Sequence, residues 1–402
     1  MKLIFLVPLF YSFGVSANCG ELKIEFENNF PVSEYFSPEN SVSTSSLNVK
    51  NEVLFYDSRL SKKGFHFLHV FDQPLTDSSS RFDVMALLNS SEVQKIKEYK
   101  VGFGKDVIFQ VYQEKSSLKF FVNIFSKNNE NWIALKSQEI FTNDTQLKRR
   151  EMIVIDGNTA LINFTDGLIS LKLDINGKLI QTKLRSLSGG FLRYENIEVF
   201  SSKSFLGINP GELELVRRDG DIWKDQLILK EPSLNNRFNP ARYFVGERKI
   251  AILQKGGATT GGDIKLKVYH LEELSGSPKV TYYEDRNVGF AFDTEIRFFD
   301  QFMFLSKPGD RLTQEAHPGN WGGYTQVLKF NESSNQYQII DEFDLGYKKF
   351  DYSNFGEHLI IENSTLYVLA RKIAKEDIGR RVYRPEVFVF DINCGDYDAP
   401  SR

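Results

Sequence analysis

The chain has 402 residues and a formal charge of −3, from 50 Lys and Arg against 53 Asp and Glu. That balance excludes a globally basic nucleic-acid binder and gives no general pull toward an anionic membrane. Its residues are 41% hydrophobic, with 35 Phe and 17 Tyr, which suits half-buried strands and supplies a sizeable core.

The N-terminus reads as an export signal. Lys2 supplies the charge, residues 3–13 the apolar run, and Val15-Ser16-Ala17 the small or β-branched residues before a cut after Ala17. Residues 1–17 are therefore expected to be a signal peptide, and 18–402 a single domain, secreted or periplasmic. The run is too short for a transmembrane helix, and no later segment qualifies. Cys19 follows Ser16-Ala17-Asn18, without the large aliphatic residue three positions back that a lipoprotein would carry.

From there one four-stranded unit recurs. A short apolar strand (a) turns tightly into a second (b), and two further strands (c, d) follow. Residues 151–185 show it plainly: EMIVI, DGN, TALINF, TDG, LISLKL, DINGK, LIQTKL. Unit one takes VLFY (53–56), GFHFLHV (64–70), RFDVMALL (81–88) and EVQKIKEY (92–99), leaving 28–51 as a long connection. Unit two runs from KVGF to NWIALKSQEIF (131–141), unit three is 151–185, and unit four runs from IEVF to IWKDQLIL (222–229). Unit five runs from RYFVG to KVTYYE, and unit six from TEIRFF to YQIIDEF (337–343). Unit seven has EHLII, TLYVLA and EVFVFDI (386–392) but no fourth strand. Such periodicity predicts a ring of small sheets, none able to bury its own core.

The unassigned strand ELKIEFE (21–27) supplies the missing strand of unit seven. The expected fold is all-β: a seven-bladed β-propeller whose last blade is completed by the N-terminal strand. Unit two is compressed, which leaves six or eight blades open. Strands c and d run antiparallel, so Cys394 after the one and Cys19 before the other fall side by side. These are the chain's two cysteines, and export makes a Cys19–Cys394 disulfide the expected closure. Trp132 and Trp223 each follow a polar turn and read as packing residues between sheets.

The pattern NFGEHLIIENSTLYVLAR…PEVFVFDI (354–392) resembles an FG-GAP repeat, the blade unit of integrin α-chain propellers. Phe355-Gly356 matches the family's FG pair and VFVFD its outer strand, and units two, three, four and six echo the pattern more faintly. The resemblance implies a propeller. Family members often bind calcium through an Asp/Asn-rich loop closed by Gly. Here Asp174-Ile175-Asn176-Gly177 is a fragment of that loop and reads better as a hairpin turn, so neither a metal nor another cofactor is expected.

Alternating strand direction puts b–c and d–a connections on one face. The b–c connections of units two, three and four are tight: QEKSS, TDG and NPG. Those of units five, six, seven and one are long: 255–263, 307–324, 371–385 and 71–81. One arc of one face is therefore expected to carry the site, because loops on a rigid scaffold concentrate function. The unit-six loop holds Asp310, Arg311, Glu315, His317, Trp321 and Tyr324, suited to a sugar or a peptide. The unit-seven loop holds Arg380, Arg381 and Arg384, suited to an acidic glycan or a carboxylate. The five histidines form no metal pair by spacing: His66 and His69 fall on opposite faces of their strand, and His358 reads as structural. No HExxH, GxSxG or phosphate-cradling Gly loop occurs. Asn89, Asn143, Asn163, Asn331 and Asn363 sit in N-x-S/T triplets.

The reading is a monomeric, non-catalytic binding module for an extracellular or envelope protein or glycan, with no nucleic-acid partner. The alternative is a secreted hydrolase or lyase acting on a sugar or lactone, with Asp310, Glu315 and His317 nearest the chemistry. A third option is a structural subunit of an envelope assembly.

Overall fold

Short apolar runs between polar turns dominate the chain, and the computed structural model forms them as strands. It describes residues 21–31, 42–50, 53–60, 66–72, 82–83, 90–104, 106–128, 131–147, 152–185, 190–201, 203–219, 222–231, 242–246, 248–255, 264–271, 279–285, 294–308, 323–344, 352–362, 364–377 and 380–395.

Strand β1 (Glu21–Pro31) comes first. Then β2 (Val42–Lys50), β3 (Val53–Leu60), β4 (His66–Asp72) and β5 (Phe82–Asp83) form an antiparallel sheet in chain order. The helix α1 (Ser90–Lys95) leads into a second sheet of β6 (Ile96–Phe103), β7 (Val107–Glu114), β8 (Phe120–Asn128) and β9 (Asn131–Ile140). A third holds β10 (Met152–Ile155), β11 (Thr159–Phe164), β12 (Gly167–Leu173) and β13 (Leu179–Lys183). A fourth holds β14 (Asn196–Ser201), β15 (Ser204–Asn209), β16 (Glu212–Asp219) and β17 (Ile222–Lys230).

Next come β18 (Arg242–Gly246), β19 (Lys249–Lys255), β20 (Ile264–His270) and β21 (Lys279–Asp285), then β22 (Ile296–Phe299), β23 (Phe302–Lys307), β24 (Tyr324–Asn331) and β25 (Gln336–Phe343). These two meanders join through a parallel pairing of Tyr282 with Gln336, giving one eight-stranded sheet. The last sheet is β26 (Tyr352–Glu362), β27 (Thr365–Asp377) and β28 (Arg380–Gly395), with β1 on the outer edge of β28. The N-terminal strand thus completes the C-terminal sheet, as its register with β28 requires: Leu22 pairs with Cys394 and Pro31 with Glu386. Cys19 and the side chain of Cys394 lie outside the described residues.

The leading strands converge. β6 packs on β10, β10 on β14, β14 on β18, β18 on β22, β22 on β26, and β26 on β2, so the C-terminal sheet returns to the N-terminal one. Sequential antiparallel meanders with converging leading strands make a β-propeller. Second strands lie between neighbouring sheets and are buried on both faces: every residue of β11 and of β23 is buried. Their sequences, TALINF and FMFLSK, are accordingly near-continuous apolar runs rather than alternations. Outer β13 shows the half-exposed pattern instead. Trp132 and Trp223 are buried as expected, and Trp223 meets Phe205 edge-on at 5.3 Å between centroids.

Unit one departs from the sequence reading by one strand. VLFY is the second strand of its sheet, because β2 precedes it and pairs with it, Lys50 opposite Val53. The expected long connection 28–51 therefore contains a strand. The stretch 81–88 contributes only β5 to the described sheet, and 92–99 divides between α1 and the start of β6. The helix begins on Ser90-Ser91-Glu92, hydroxyls and an acid that suit a helix N-terminus, and its last carbonyls are met by Lys115, whose N–H donates to Lys95 O (2.8 Å) and whose Nζ donates to Gln94 O (2.8 Å). The turn at Asp174 is a hairpin turn, as read: Asp174 Oδ1 accepts from the N–H groups of Asn176 (2.9 Å) and Lys178 (2.7 Å), with Gly177 at φ +73°.

Seams between sheets are fastened by buried polar groups. Glu295, just before β22, accepts from Leu359 N–H (3.1 Å) and Arg297 (3.1 Å), and lies 3.0 Å from His358 Nδ1. Burial alone would raise this carboxyl, but Arg297, His358 and the Leu359 N–H outweigh it and hold it at about 2. Nearby, Phe355 is fully buried and Gly356 takes φ +87°, where an added Cβ would lie 2.7 Å from the Ser306 Cβ. Between β20 and β24, His270 stacks near Phe330 (4.6 Å) and Tyr337 (6.0 Å), with Nε2 3.1 Å from Thr281 Oγ1. Burial, reinforced by Lys249 and Lys279, lowers its pKa to about 4.

Two acid-labile seams follow. An unfolded chain protonates a His below about 6.5 and a Glu below about 4.5, before the folded groups do. Stability is expected to fall from pH 6.5 to 4 through His270, and from pH 4.5 to 2 through Glu295. Urea titrations across pH 7 to 3 check this, with His270→Gln expected to flatten the first interval. Glu295→Gln is expected to cost about 3 kcal/mol at pH 7, because it leaves Arg297 without its charge partner.

Candidate functional site

Most of the expected site lies beyond the described residues: Asp310, Arg311, Glu315, His317 and Trp321 all do. Tyr324 is described, and it is not a presented ligand platform. It starts β24, is buried, and has Lys307 Nζ 5.2 Å from its ring centroid. Its burial follows from its pairing with Lys307 on a fully buried strand.

The expected unit-seven loop is a correction. Residues 371–385 form no loop but the extended hairpin of β27 and β28, with Lys372 opposite Arg384, Glu376 opposite Arg381 and Asp377 opposite Arg380. The side chains of Arg380, Arg381 and Arg384 lie outside the described residues. In unit one β4 leads into β5 as third strand into fourth, and the segment 73–81 between them lies outside the described residues. The long connections of units five and six, 256–263 and 309–322, lie outside the described residues.

The described part of this face holds a cleft of about 590 Å³ between the second and third sheets, where the connections are short. One wall is the β7–β8 turn with Ser117, Leu118 and Lys119. The other is the linker after β9, Phe141 to Thr145, which meets Asp166 of the β11–β12 turn and Lys183 of β13. Buried Phe120 and Ile140 lie beneath. Linker and turn are stitched reciprocally. Asp144 Oδ2 accepts from Thr165 N–H (2.8 Å), while Asp166 accepts from Thr142 Oγ1 (2.7 Å), Asn143 N–H (3.3 Å) and Lys183 Nζ (2.9 Å). Burial works against the Asp166 charge, but Lys183, Thr142 and Asn143 prevail and keep its carboxyl below the ordinary range. Fully buried Gln113 donates from Nε2 to both Leu118 O and Thr145 O, at 2.9 Å each, and so fixes one wall to the other.

Each lysine of the cleft has a carboxylate partner, and the third acid, Asp144, accepts from backbone N–H groups. Lys119 pairs with Glu139 at 2.8 Å and Lys183 with Asp166 at 2.9 Å. Phe141 stands out as 73% exposed. Sequence reasoning passed over this site because its parts lie near residues 117, 143, 166 and 183 and no local motif joins them. The one legible signal was an aromatic residue at the end of an outer strand, followed by Thr-Asn-Asp-Thr. Of the N-x-S/T triplets, Asn143 is exposed, whereas Asn163 is buried and donates to Tyr194 O (2.8 Å), which removes it as a glycan acceptor.

No protein-family model matches the chain, and no curated protein matches it. Among solved structures it is similar to a protein from Lactobacillus plantarum, with 10% identity over 83% of this chain and 94% of that one and a TM-score of 0.47. It is similar to the WD40 domain of SCAP from fission yeast, with 9% identity over 90% and 98% and a TM-score of 0.45. It is also similar to the β-propeller domain of the Trilobed protease from Pyrococcus furiosus, with 12% identity over 76% and 100% and a TM-score of 0.41. The fold itself is defined by the strand order and the converging leading strands.

Gln113→Leu is expected to leave two carbonyls without their shared donor and to cost about 2 kcal/mol. A drop in denaturation midpoint, with faster amide exchange in the 115–119 turn, checks the bracing role.

Proposed function

We propose that the chain is an exported, monomeric binding module, built as a seven-bladed propeller closed by Cys19–Cys394. Its ligand would be an extracellular or envelope protein or glycan, held on the face of the second-to-third and sheet-to-sheet connections. One observation favours binding over hydrolysis. The cleft carboxylates on that face serve as hydrogen-bond acceptors, and Asp166 is held ionised by Lys183, Thr142 and Asn143. A sugar-cleaving site needs a carboxyl kept protonated to act as an acid, which is the opposite tuning.

The FG-GAP-like reading of the repeat draws support from the Phe355-Gly356 pair, where a buried ring and a left-handed glycine fit against Ser306. Among the described residues no helix is long and apolar enough to cross a membrane.

Affinity capture from the native extracellular or envelope fraction tests the module reading. The mature protein is the bait, beside a variant with 309–322 replaced by a short Gly-Ser turn and a second variant, Phe141→Ala. A partner held by the parent and lost by either variant is the expected result. Turnover of a sugar or lactone that is abolished by Asp310→Asn or Glu315→Gln would replace the reading with the hydrolase.

A further inference from the structure

The cleft between the second and third sheets narrows the ligand class. We propose that it binds an uncharged sugar, with Phe141 as the stacking surface and Asp166 and Asn143 bonding to hydroxyls; this rests on the binding-module reading.

Volume comes first. About 590 Å³ is within the range of small-ligand clefts and accommodates a short oligosaccharide end rather than a folded domain. Charge comes second. Both lysines of the cleft already face a carboxylate, Glu139 or Asp166, at under 3 Å. An anionic ligand would compete with these acids for the lysines, a cationic one with the lysines for Glu139 and Asp166, and the third acid, Asp144, is engaged by the N–H groups of Thr145 and Thr165. A neutral, hydroxyl-rich ligand displaces neither.

Hydrogen-bonding capacity comes third. A carboxylate offers about four acceptor sites, and the three bonds made to Asp166 leave it one for a ligand O–H. The Asn143 side chain, on the exposed linker, brings both a donor and an acceptor. Hydroxyls in adjacent positions on a sugar ring need this mixture.

The fourth element is Phe141. A ring without a polar handle, 73% exposed, covers the C–H face of a sugar by removing apolar surface from water on both partners. Its backbone is already fixed, since Phe141 O accepts from Gln181 Nε2 (3.4 Å) and its neighbour Thr142 donates to Asp166 (2.7 Å). Gln113 holds the facing wall. Little ordering remains to be done on binding.

The test uses the mature protein with neutral trisaccharides of glucose, galactose, mannose and N-acetylglucosamine, and a uronic-acid trisaccharide as the charged comparison. Saturation-transfer NMR locates binding and calorimetry measures it. At least one neutral probe is expected to bind, more tightly than the uronic acid. Phe141→Ala is expected to weaken it at least about tenfold, and Phe141→Trp to retain it, with both variants melting as the parent does. No transfer from any neutral probe, tighter binding of the uronic acid, or unchanged binding by Phe141→Ala overturns the proposal. Capture separates the two readings. A protein partner held by Phe141→Ala but lost with the 309–322 replacement leaves the module standing and removes the sugar cleft. Absence of both a partner and a sugar removes both.

Discussion

The fold depends on the burial of second strands between neighbouring sheets. A strand such as β11 or β23 presents apolar side chains to both faces, and its own four-stranded sheet covers neither. Each sheet therefore needs a neighbour on each side, and the need is met only when the leading strands converge. The aromatic content follows from this geometry. Phe120 against Phe164 at 5.3 Å and Phe343 against Phe390 at 5.2 Å fill the wedges between sheets, which widen outward and take large rings. Polar seams such as Glu295 with His358 then fix which sheet edge faces which, at the cost of a burial penalty that several hydrogen bonds offset.

Most of this was legible in the sequence for a physical reason. Strands buried on both faces appear as unbroken apolar runs, and the turns between them are written in Gly, Asn and Asp. The N-terminal strand was placed correctly on β28 because the last unit lacked a partner there. Unit one was misphased because β2, VSTSSLNVK, carries three serines and a threonine and looks like a connection; its place comes from pairing with β3, not from propensity. The stretch EVQKIKEY divides between a helix and a strand: the Val93–Ile96 spacing of three suits the helix, while the strand begins at Ile96.

The site was less legible, and for a different reason. Loop length along the chain indicates where backbone accumulates, but not which connection falls on which face. A one-strand shift in unit one changed which strands its long segment joins, and pairing turned the charged unit-seven segment into a hairpin. The cleft beside Phe141 sits instead where connections are short. Short, mutually bonded turns hold donors and acceptors in place, and that is the property a weak polar ligand requires of its host.

The pairing of β1 with β28 has a consequence for how the molecule comes into being. Among the described strands, β1 is the first to leave the ribosome and β28 the last. For the whole of synthesis β1 has no edge to join. Once β28 emerges, its outer edge stays open until β1 arrives, and an open strand edge is a template for any other chain nearby. The intervening sheets can form in order, each leaning on the one before, but the final sheet cannot be completed by local chain alone. Closure is a long-range event joining segments more than 350 residues apart, as the bond between Asn29 and Glu386 records. The vulnerable interval in the life of this protein is therefore expected to be the moment before its two ends meet, when a second copy's β1 is chemically indistinguishable from its own.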